Sequence, residues 1–147
     1  MYKNNFTFSI PGAKENILAG TKVLTIRKLP AKVGKELVLR TGSRWIKTGA
    51  PGCLELIFPK GEGPACTGSW PVEITMQTET MYCFRSYFFN EVFNFPESIH
   101  YDMGDIEEYW LAPKIAKMDG WNDPEEMIDF FKNTYGLPFD GYINYWG

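Results

Sequence analysis

A short helix that ends at a glycine and passes directly into a strand constrains the fold of this chain most. Residues 13–19 predict the helix, and Gly20 follows with the freedom to adopt the left-handed conformation of a helix C-cap. Residues 23–27 read VLTIR, in which three of five side chains are β-branched, so they predict a strand. Because side chains alternate along a strand, Leu24 and Ile26 share one face, which we expect to be buried.

Polar side chains occupy the opposite face of this strand and its beginning. Thr25 and Arg27 alternate with the apolar pair, and we expect Lys22 to lie at the mouth of the strand, outside the core. The two cations and the hydroxyl then fall within roughly 7 Å of one another along the strand. Such a cluster suits an anionic or hydrogen-bonding ligand. The alternative is a half-exposed edge strand with solvated charges.

The remaining elements are predicted from apolar periodicity and from glycine and proline positions. Asp123 and Pro124 form the clearest helix start, a capping side chain followed by a proline that fits the first turn. The predicted elements are strands at 6–10, 36–40, 53–58, 71–76 and 142–146, helices at 81–95, from 107 onward and at 124–134, a loop at 96–105 and a turn at 140–141.

Three stretches of the chain resemble the ASCH domain, a small family with a PUA-like β-barrel. Residues 19–27 (AGTKVLTIR) resemble the family signature, 33–44 its second strand and the following loop, and 119–127 the entry to its late helix. The resemblance covers both ends of the chain but not the middle, about 51–109. It implies an α+β fold, a single domain over 1–147 in which a PUA-like β-barrel carries flanking helices.

The resemblance also implies an activity, because some ASCH proteins are amidohydrolases that remove the acyl group from an N4-acylated cytidine. It assigns catalytic roles to Lys22, Thr25 and Asp119 in this sequence. A threonine hydroxyl needs a base before it can attack, and Lys22 would serve if its pKa were lowered. The family has glutamate where this chain has Asp119, which is one methylene shorter. Asp123 and Glu125 are therefore alternative acids.

A loop with small and polar residues follows the second predicted strand. Thr41 and Ser43 carry hydroxyls and Arg44 a guanidinium, a composition typical of anion-binding loops and also of ordinary turns. Trp45 comes next and is expected either to wall a pocket or to pack in the core.

A non-catalytic RNA- or nucleotide-binding module is the first alternative to an enzyme. It would use the cations Arg27 and Arg44 together with a stacking ring, either Trp45 or Trp121, and would need no nucleophile. Stacking contributes about 1–3 kcal/mol per base, which allows recognition without a high net charge.

Seven aromatic rings crowd the segment 81–95: Tyr82, Phe84, Tyr87, Phe88, Phe89, Phe93 and Phe95. Their spacing predicts a buried, aromatic-rich helix, with an aromatic lid over a ligand as the alternative. The resemblance does not extend here, so we interpret about 81–110 as a helical insertion that elaborates the domain. If the rings are exposed instead, 82–95 becomes a protein-interaction surface, which is the second alternative to an enzyme.

Composition excludes several classes of protein and of functional site. The 147 residues, 44% of them hydrophobic, suit one domain. A net charge of −3 argues against general electrostatic binding to a nucleic-acid backbone. Three cysteines and one histidine, with no Cys-x-x-Cys, predict neither a disulfide framework nor a metal site. No apolar run approaches the roughly 20 residues that cross a bilayer. We therefore expect a cytoplasmic protein without cofactors, whose partner is a modified nucleoside or RNA and not a membrane.

Overall fold

A computed structural model describes residues 1–102 and 111–147, and its elements form a mixed α+β fold. The predicted helix start at Glu107 and the end of the predicted insertion, 103–110, lie outside the described residues. The elements are β1 Asn5–Phe8, α1 Ala13–Ala19, β2 Leu24–Arg27, β3 Val38–Thr41, β4 Glu55–Leu56, β5 Gly68–Met76, β6 Met81–Arg85, α2 Tyr87–Phe93, β7 Ser98–Asp102, α3 Leu111–Met118, α4 Pro124–Thr134 and β8 Phe139–Tyr145.

The described strands form two sheets. The larger has the order β2-β8-β5-β6-β7 and is antiparallel throughout. The smaller has the order β1-β3-β4, with β1 parallel to β3 and β3 antiparallel to β4. The α+β class is thus confirmed, while the strands within the described ranges do not close into one barrel.

Local signals set the helix ends that position the site. Gly20 caps α1 with φ of 79°, and its N–H donates to the carbonyls of the last turn, as predicted for a left-handed cap. Asp123 caps α4 by accepting a hydrogen bond from the Glu126 N–H at 2.9 Å, and Pro124 occupies the first turn. Both helices therefore begin or end where the sequence predicts.

Each sheet buries one apolar face in a core of its own. In the larger sheet, Leu24 and Ile26 are buried, as expected, against side chains from α2, α3 and α4. The smaller sheet packs against α1 in a second core formed by Phe6, Phe8, Ala13, Ile17, Ala31, Leu37, Leu39, Ile57 and Cys66. β2 lies at the edge of the larger sheet, and Arg27 on it donates to the carbonyl of Thr7 on β1 at 3.0 Å. The site described below lies at this meeting of the two sheets.

The aromatic segment is correctly predicted as core and wrongly predicted as one helix. Residues 81–85 form strand β6 and only 87–93 form helix α2, because Tyr82 and Phe84 alternate inward along the strand. Phe88 and Phe89 are buried in the larger core. Tyr87 is 63% exposed, whereas Tyr82, Phe84, Phe88 and Phe89 are all buried. Most of the segment's rings are therefore unavailable as an interaction surface.

Two further predictions are wrong in the same part of the sheet. Residues 98–102 form strand β7 instead of a loop, because Ile99 and Tyr101 pack inward while β6 supplies the hydrogen-bonding partner. Asp140 and Gly141 belong to β8 instead of a turn, since they pair with Glu73 and Val72 of β5. No helix within the described ranges combines the length and apolar character needed to cross a membrane.

Candidate functional site

Lys22 is fully buried, which corrects the expectation that it lies outside the core. The chain turns sharply after Gly20, because the N–H groups of Thr21 and Lys22 both donate to the carbonyl of Asn16. The Val23 N–H then donates to the carbonyl of Met118 at the end of α3. This turn directs the Lys22 side chain inward, toward the residue that follows α3.

The ammonium group of Lys22 has three acceptors. Its Nζ donates to the Leu24 carbonyl at 2.9 Å, to the Asp119 carbonyl, and to Asp119 Oδ1 at 3.0 Å. Gly120 allows this close wrapping, because its φ is 91° and a Cβ there would lie 3.0 Å from Lys22 Cδ. All three protons of the ammonium are therefore used, two of them on Asp119 and one on the Leu24 carbonyl of β2.

Asp119 is a buried carboxylate held on both oxygens. Oδ1 accepts from Lys22 and Oδ2 accepts from the indole Nε1 of Trp121 at 3.0 Å. Burial raises the pKa of Asp119, against the opposing attraction of Lys22, the hydrogen bonds from Lys22 and Trp121, and the Arg27 charge. Burial lowers the pKa of Lys22, against the attraction of Asp119. The two pKa values shift toward each other because burial disfavours both charges.

Thr25 and Arg27 lie side by side on the face of β2 opposite its buried apolar pair, as predicted. Arg27 Nε donates to Thr25 Oγ1 at 3.0 Å, and Arg27 Nη2 donates to the Thr7 carbonyl at 3.0 Å. The guanidinium lies over the rings of Phe6 and Phe8, with centroids at 5.3 and 5.2 Å. Burial lowers the pKa of Arg27, and Asp119 opposes that shift.

These groups line one small cleft with aromatic walls. Its volume is about 90 Å³, and Thr25, Arg27, Asp119 and Trp121 all contribute to its surface. The rest of the wall comes from Thr7, Phe8, Ser9, Ile10, Ile26, Phe130, Phe131 and Tyr135. The cleft therefore combines a hydroxyl, a guanidinium and a buried carboxylate with several rings. This is the composition of a site for a planar, hydrogen-bonding ligand.

The loop residues predicted to bind ligand divide between two places. Thr41 and Ser43 line a second hollow of about 410 Å³, which shares its wall at 8–10 with the cleft. Arg44 and Trp45 do not line the cleft: Trp45 is 84% exposed and the Arg44 guanidinium lies 4.9 Å from its ring centroid. Of the two predicted stacking tryptophans, the structure brings only Trp121 into the cleft.

The structure also distinguishes among the candidate acids. Asp123 caps α4, and Glu125 accepts a hydrogen bond from the Tyr101 hydroxyl at 2.8 Å. Neither lines the cleft, whereas Asp119 does. His100 lies on β7, at the opposite edge of the five-stranded sheet from β2.

Sequence reasoning missed several wall residues of the cleft. Phe8 and Tyr135 were not singled out, and Phe130, at a position whose helical spacing indicates the inner face of α4, is 38% exposed. Only the helical spacing of Phe130 carried a signal, and spacing alone does not distinguish a core position from a cleft wall.

Comparisons with known proteins found no match for this chain among protein-family models, curated proteins or solved structures. Within the described ranges, no group of three or more His, Cys, Asp or Glu side chains is arranged to hold a metal ion.

Proposed function

We propose that this chain is an ASCH-type, PUA-like protein whose cleft hydrolyses the acyl amide of an N4-acylated cytidine. One observation carries the proposal. The residues that the sequence resemblance marks as catalytic, Lys22, Thr25 and Asp119, converge although Lys22 and Asp119 are 97 positions apart. The meeting of two sheets beside β2 is compatible with an opened PUA-like barrel, which forms part of the same proposal.

Thr25 is the nucleophile in this proposal. Its Oγ1 accepts a hydrogen bond from Arg27 Nε, which favours the developing alkoxide. The oxygen attacks the acyl carbon while its proton passes to the carboxylate of Asp119. The remaining guanidinium N–H groups of Arg27 stabilise the oxyanion that forms.

Asp119 then returns the proton to the leaving N4 amine, which releases cytidine and leaves the acyl group as an ester on Thr25. Water hydrolyses that ester with Asp119 again as the base, giving the free acid and restoring the hydroxyl. Burial suits Asp119 to this exchange, because a raised pKa brings a carboxylate closer to neutral pH.

Lys22 positions the acid in this scheme instead of activating Thr25. Its three protons are donated to the carbonyls of Leu24 and Asp119 and to Asp119 Oδ1, so the carboxylate is fixed relative to β2. The role that the family resemblance gives to this lysine as a base would require the ammonium to give up one of these contacts.

The size of the cleft limits what it can enclose. A volume of about 90 Å³ is below the range of roughly 300–1,000 Å³ typical of pockets for whole small molecules. In this proposal the acyl group and the edge of the base that carries it enter the cleft, and the sugar remains outside. Trp121 and Phe130, whose ring centroids are 5.2 Å apart, provide aromatic surface for the base.

A non-catalytic module that binds a modified nucleoside or RNA is the second candidate. The engagement of all three Lys22 protons favours it over any hydrolase in which Lys22 is the base, because the ammonium then has no lone pair to accept a proton. The cleft walls serve both candidates equally, so turnover separates them.

The test is release of cytidine from N4-acetylcytidine by the purified protein, followed by liquid chromatography. We expect turnover by the natural chain and a loss of about 100-fold or more in Thr25→Val, the scale of removing one catalytic group. Thr75→Val is the matched control, because Thr75 is a partly buried threonine of β5 that does not line the cleft.

Circular dichroism of all three proteins establishes that they are folded. Absence of turnover by the folded natural chain would reject the hydrolase and leave the binding module. Equal losses in Thr25→Val and Thr75→Val would show that the effect is structural.

A further inference from the structure

A third hollow adjoins the cleft on the other side of Arg27. Its volume is about 160 Å³, and it is lined by Lys3, Phe6, Arg27, Lys28, Leu29 and Tyr135. Arg27 and Tyr135 belong to the walls of both this hollow and the cleft. A ligand held in the cleft therefore has this hollow as an immediate neighbour.

The chain path brings the cations of this hollow together. The N–H of Lys3 donates to the carbonyl of Pro30 at 2.9 Å, so the start of the chain runs beside the loop that follows β2. Lys28 Nζ lies 4.7 Å from the ring centroid of Phe139 and 5.5 Å from that of Tyr135. Aromatic faces thus hold the lysine near the hollow without neutralising its charge.

The charge of this hollow is opposite to that of the whole protein. Its lining has three cations and no carboxylate, in a chain whose net charge is −3. Within the described ranges, the only salt bridge is that between Lys22 and Asp119, so Lys3 and Lys28 carry no paired acid there. An unneutralised cationic hollow on an acidic protein favours an anionic ligand group.

The other hollows do not share this character. The 410 Å³ hollow balances Lys14 with Glu15. A hollow of about 440 Å³ has three carboxylates and the single cation Arg85 in its lining. Charge therefore distinguishes the 160 Å³ hollow from these two larger hollows of the described residues.

We propose that this hollow is a phosphate subsite, so that the ligand of the cleft is a phosphate ester of a cytidine-type nucleoside and not the free nucleoside. The proposal rests on the proposed function, because it needs the base in the cleft. Lys3 and Lys28 supply ammonium groups that can bind phosphate oxygens directly. Arg27, whose N–H groups are directed to Thr25, to Thr7 and into the cleft, adds its positive charge at the boundary of the hollow. The sugar, which the cleft cannot enclose, spans the distance between the two hollows.

The test measures binding of cytidine, cytidine 5′-monophosphate, cytidine 3′-monophosphate and inorganic phosphate by isothermal titration calorimetry at low ionic strength. We expect at least one monophosphate to bind about tenfold more tightly than cytidine, or better. The double variant Lys3→Gln/Lys28→Gln should remove that preference while cytidine binds as before. Raising the salt concentration should weaken the monophosphate and not cytidine.

The matched control is Lys47→Gln/Lys60→Gln, which removes two exposed lysines that line none of these hollows. This control variant should keep the preference for the monophosphate over cytidine. Thermal unfolding of both double variants checks that each is folded.

Three results would overturn the subsite: equal affinity for cytidine and both monophosphates, a preference that survives in Lys3→Gln/Lys28→Gln, or inorganic phosphate that binds as tightly as the nucleotide. Failure of the hydrolase is a separate result, because it consists of no cytidine release from N4-acetylcytidine or from its monophosphates. That result leaves the calorimetric comparison intact.

Discussion

The hollow of about 440 Å³, called the large hollow below, and the cleft of about 90 Å³ differ in how far their charged residues are exposed to solvent. The hollow of about 440 Å³ lies beside β5, β6 and β8, and its charged walls, such as Glu73, Arg85 and Asp140, are partly or fully exposed to solvent. The cleft of about 90 Å³ encloses Asp119, which is buried with Lys22 behind it. The charged groups at the cleft are thus removed from most of the solvent, and those of the large hollow are not.

The difference follows from what covers each part of the sheet. The end of α1 and the turn between α3 and α4 close over the beginning of β2, so Lys22 is fully buried and Asp119 is 5% exposed, at the wall of the cleft. In the large hollow, by contrast, Glu73 is partly exposed and Arg85 and Asp140 are exposed. Volume alone would favour the large hollow, whereas the shifted pKa values of Lys22 and Asp119 favour the cleft as the candidate site.

The largest expected effect is on stability, in the variant Lys22→Met. We expect the free energy of unfolding to fall by about 3–5 kcal/mol, because removing one partner leaves a buried charge on Asp119 uncompensated. Urea denaturation measures the change. Lys60→Met, at an exposed position, should stay within about 0.5 kcal/mol. An unchanged unfolding midpoint in Lys22→Met would mean that the lysine is not buried.

The pH dependence of Lys22→Met sharpens the same comparison. Loss of the lysine removes an interaction that lowers the pKa of Asp119, so that pKa, already above the ordinary 3.8, rises further in the folded state. A folded-state pKa above the unfolded value gives stability that is present below pH 3.8 and is lost as the pH rises through the folded value. Asp119→Asn added to Lys22→Met should remove this dependence.

A smaller effect on activity is expected in Trp121→Phe, which keeps a ring in the cleft but removes the hydrogen bond to Asp119 Oδ2. That bond favours the charged carboxylate, so its loss should raise the pKa of Asp119 and move the acid limb of the kcat/KM profile to higher pH. Trp70→Phe is the matched control, since its indole donates to the exposed side of the molecule, at Glu91 Oε2. Equal shifts in both variants would exclude a specific link to Asp119.

The smallest effect on turnover is expected from a substitution in the large hollow. Arg85→Gln removes the only cation of its lining and should leave turnover of N4-acetylcytidine within about twofold, because surface substitutions away from a site change little. Measured beside Thr25→Val, it tests the comparison directly. A loss of tenfold or more would show that the large hollow takes part in the reaction and would break the contrast with the cleft.

The sequence predicted the elements whose signals are local. The end of α1 at Gly20, the alternation along β2 and the capped start of α4 all depend on residues within a few positions of one another. Strand β7 was missed because its pairing with β6 is a tertiary interaction, and residues 81–85 were misread because aromatic spacing fits a helix or a strand.

The amino-acid sequence by itself determined which chemical groups are present near β2 and which faces of that strand carry them. Only the tertiary structure decided that Lys22 points inward, that Asp119 is its partner, and that Trp121 and not Trp45 walls the cleft. The reason is physical. A lysine near a strand end normally lies in water, and its burial becomes stable only when a carboxylate 97 positions away is brought against it by the packing of α3 on the sheet.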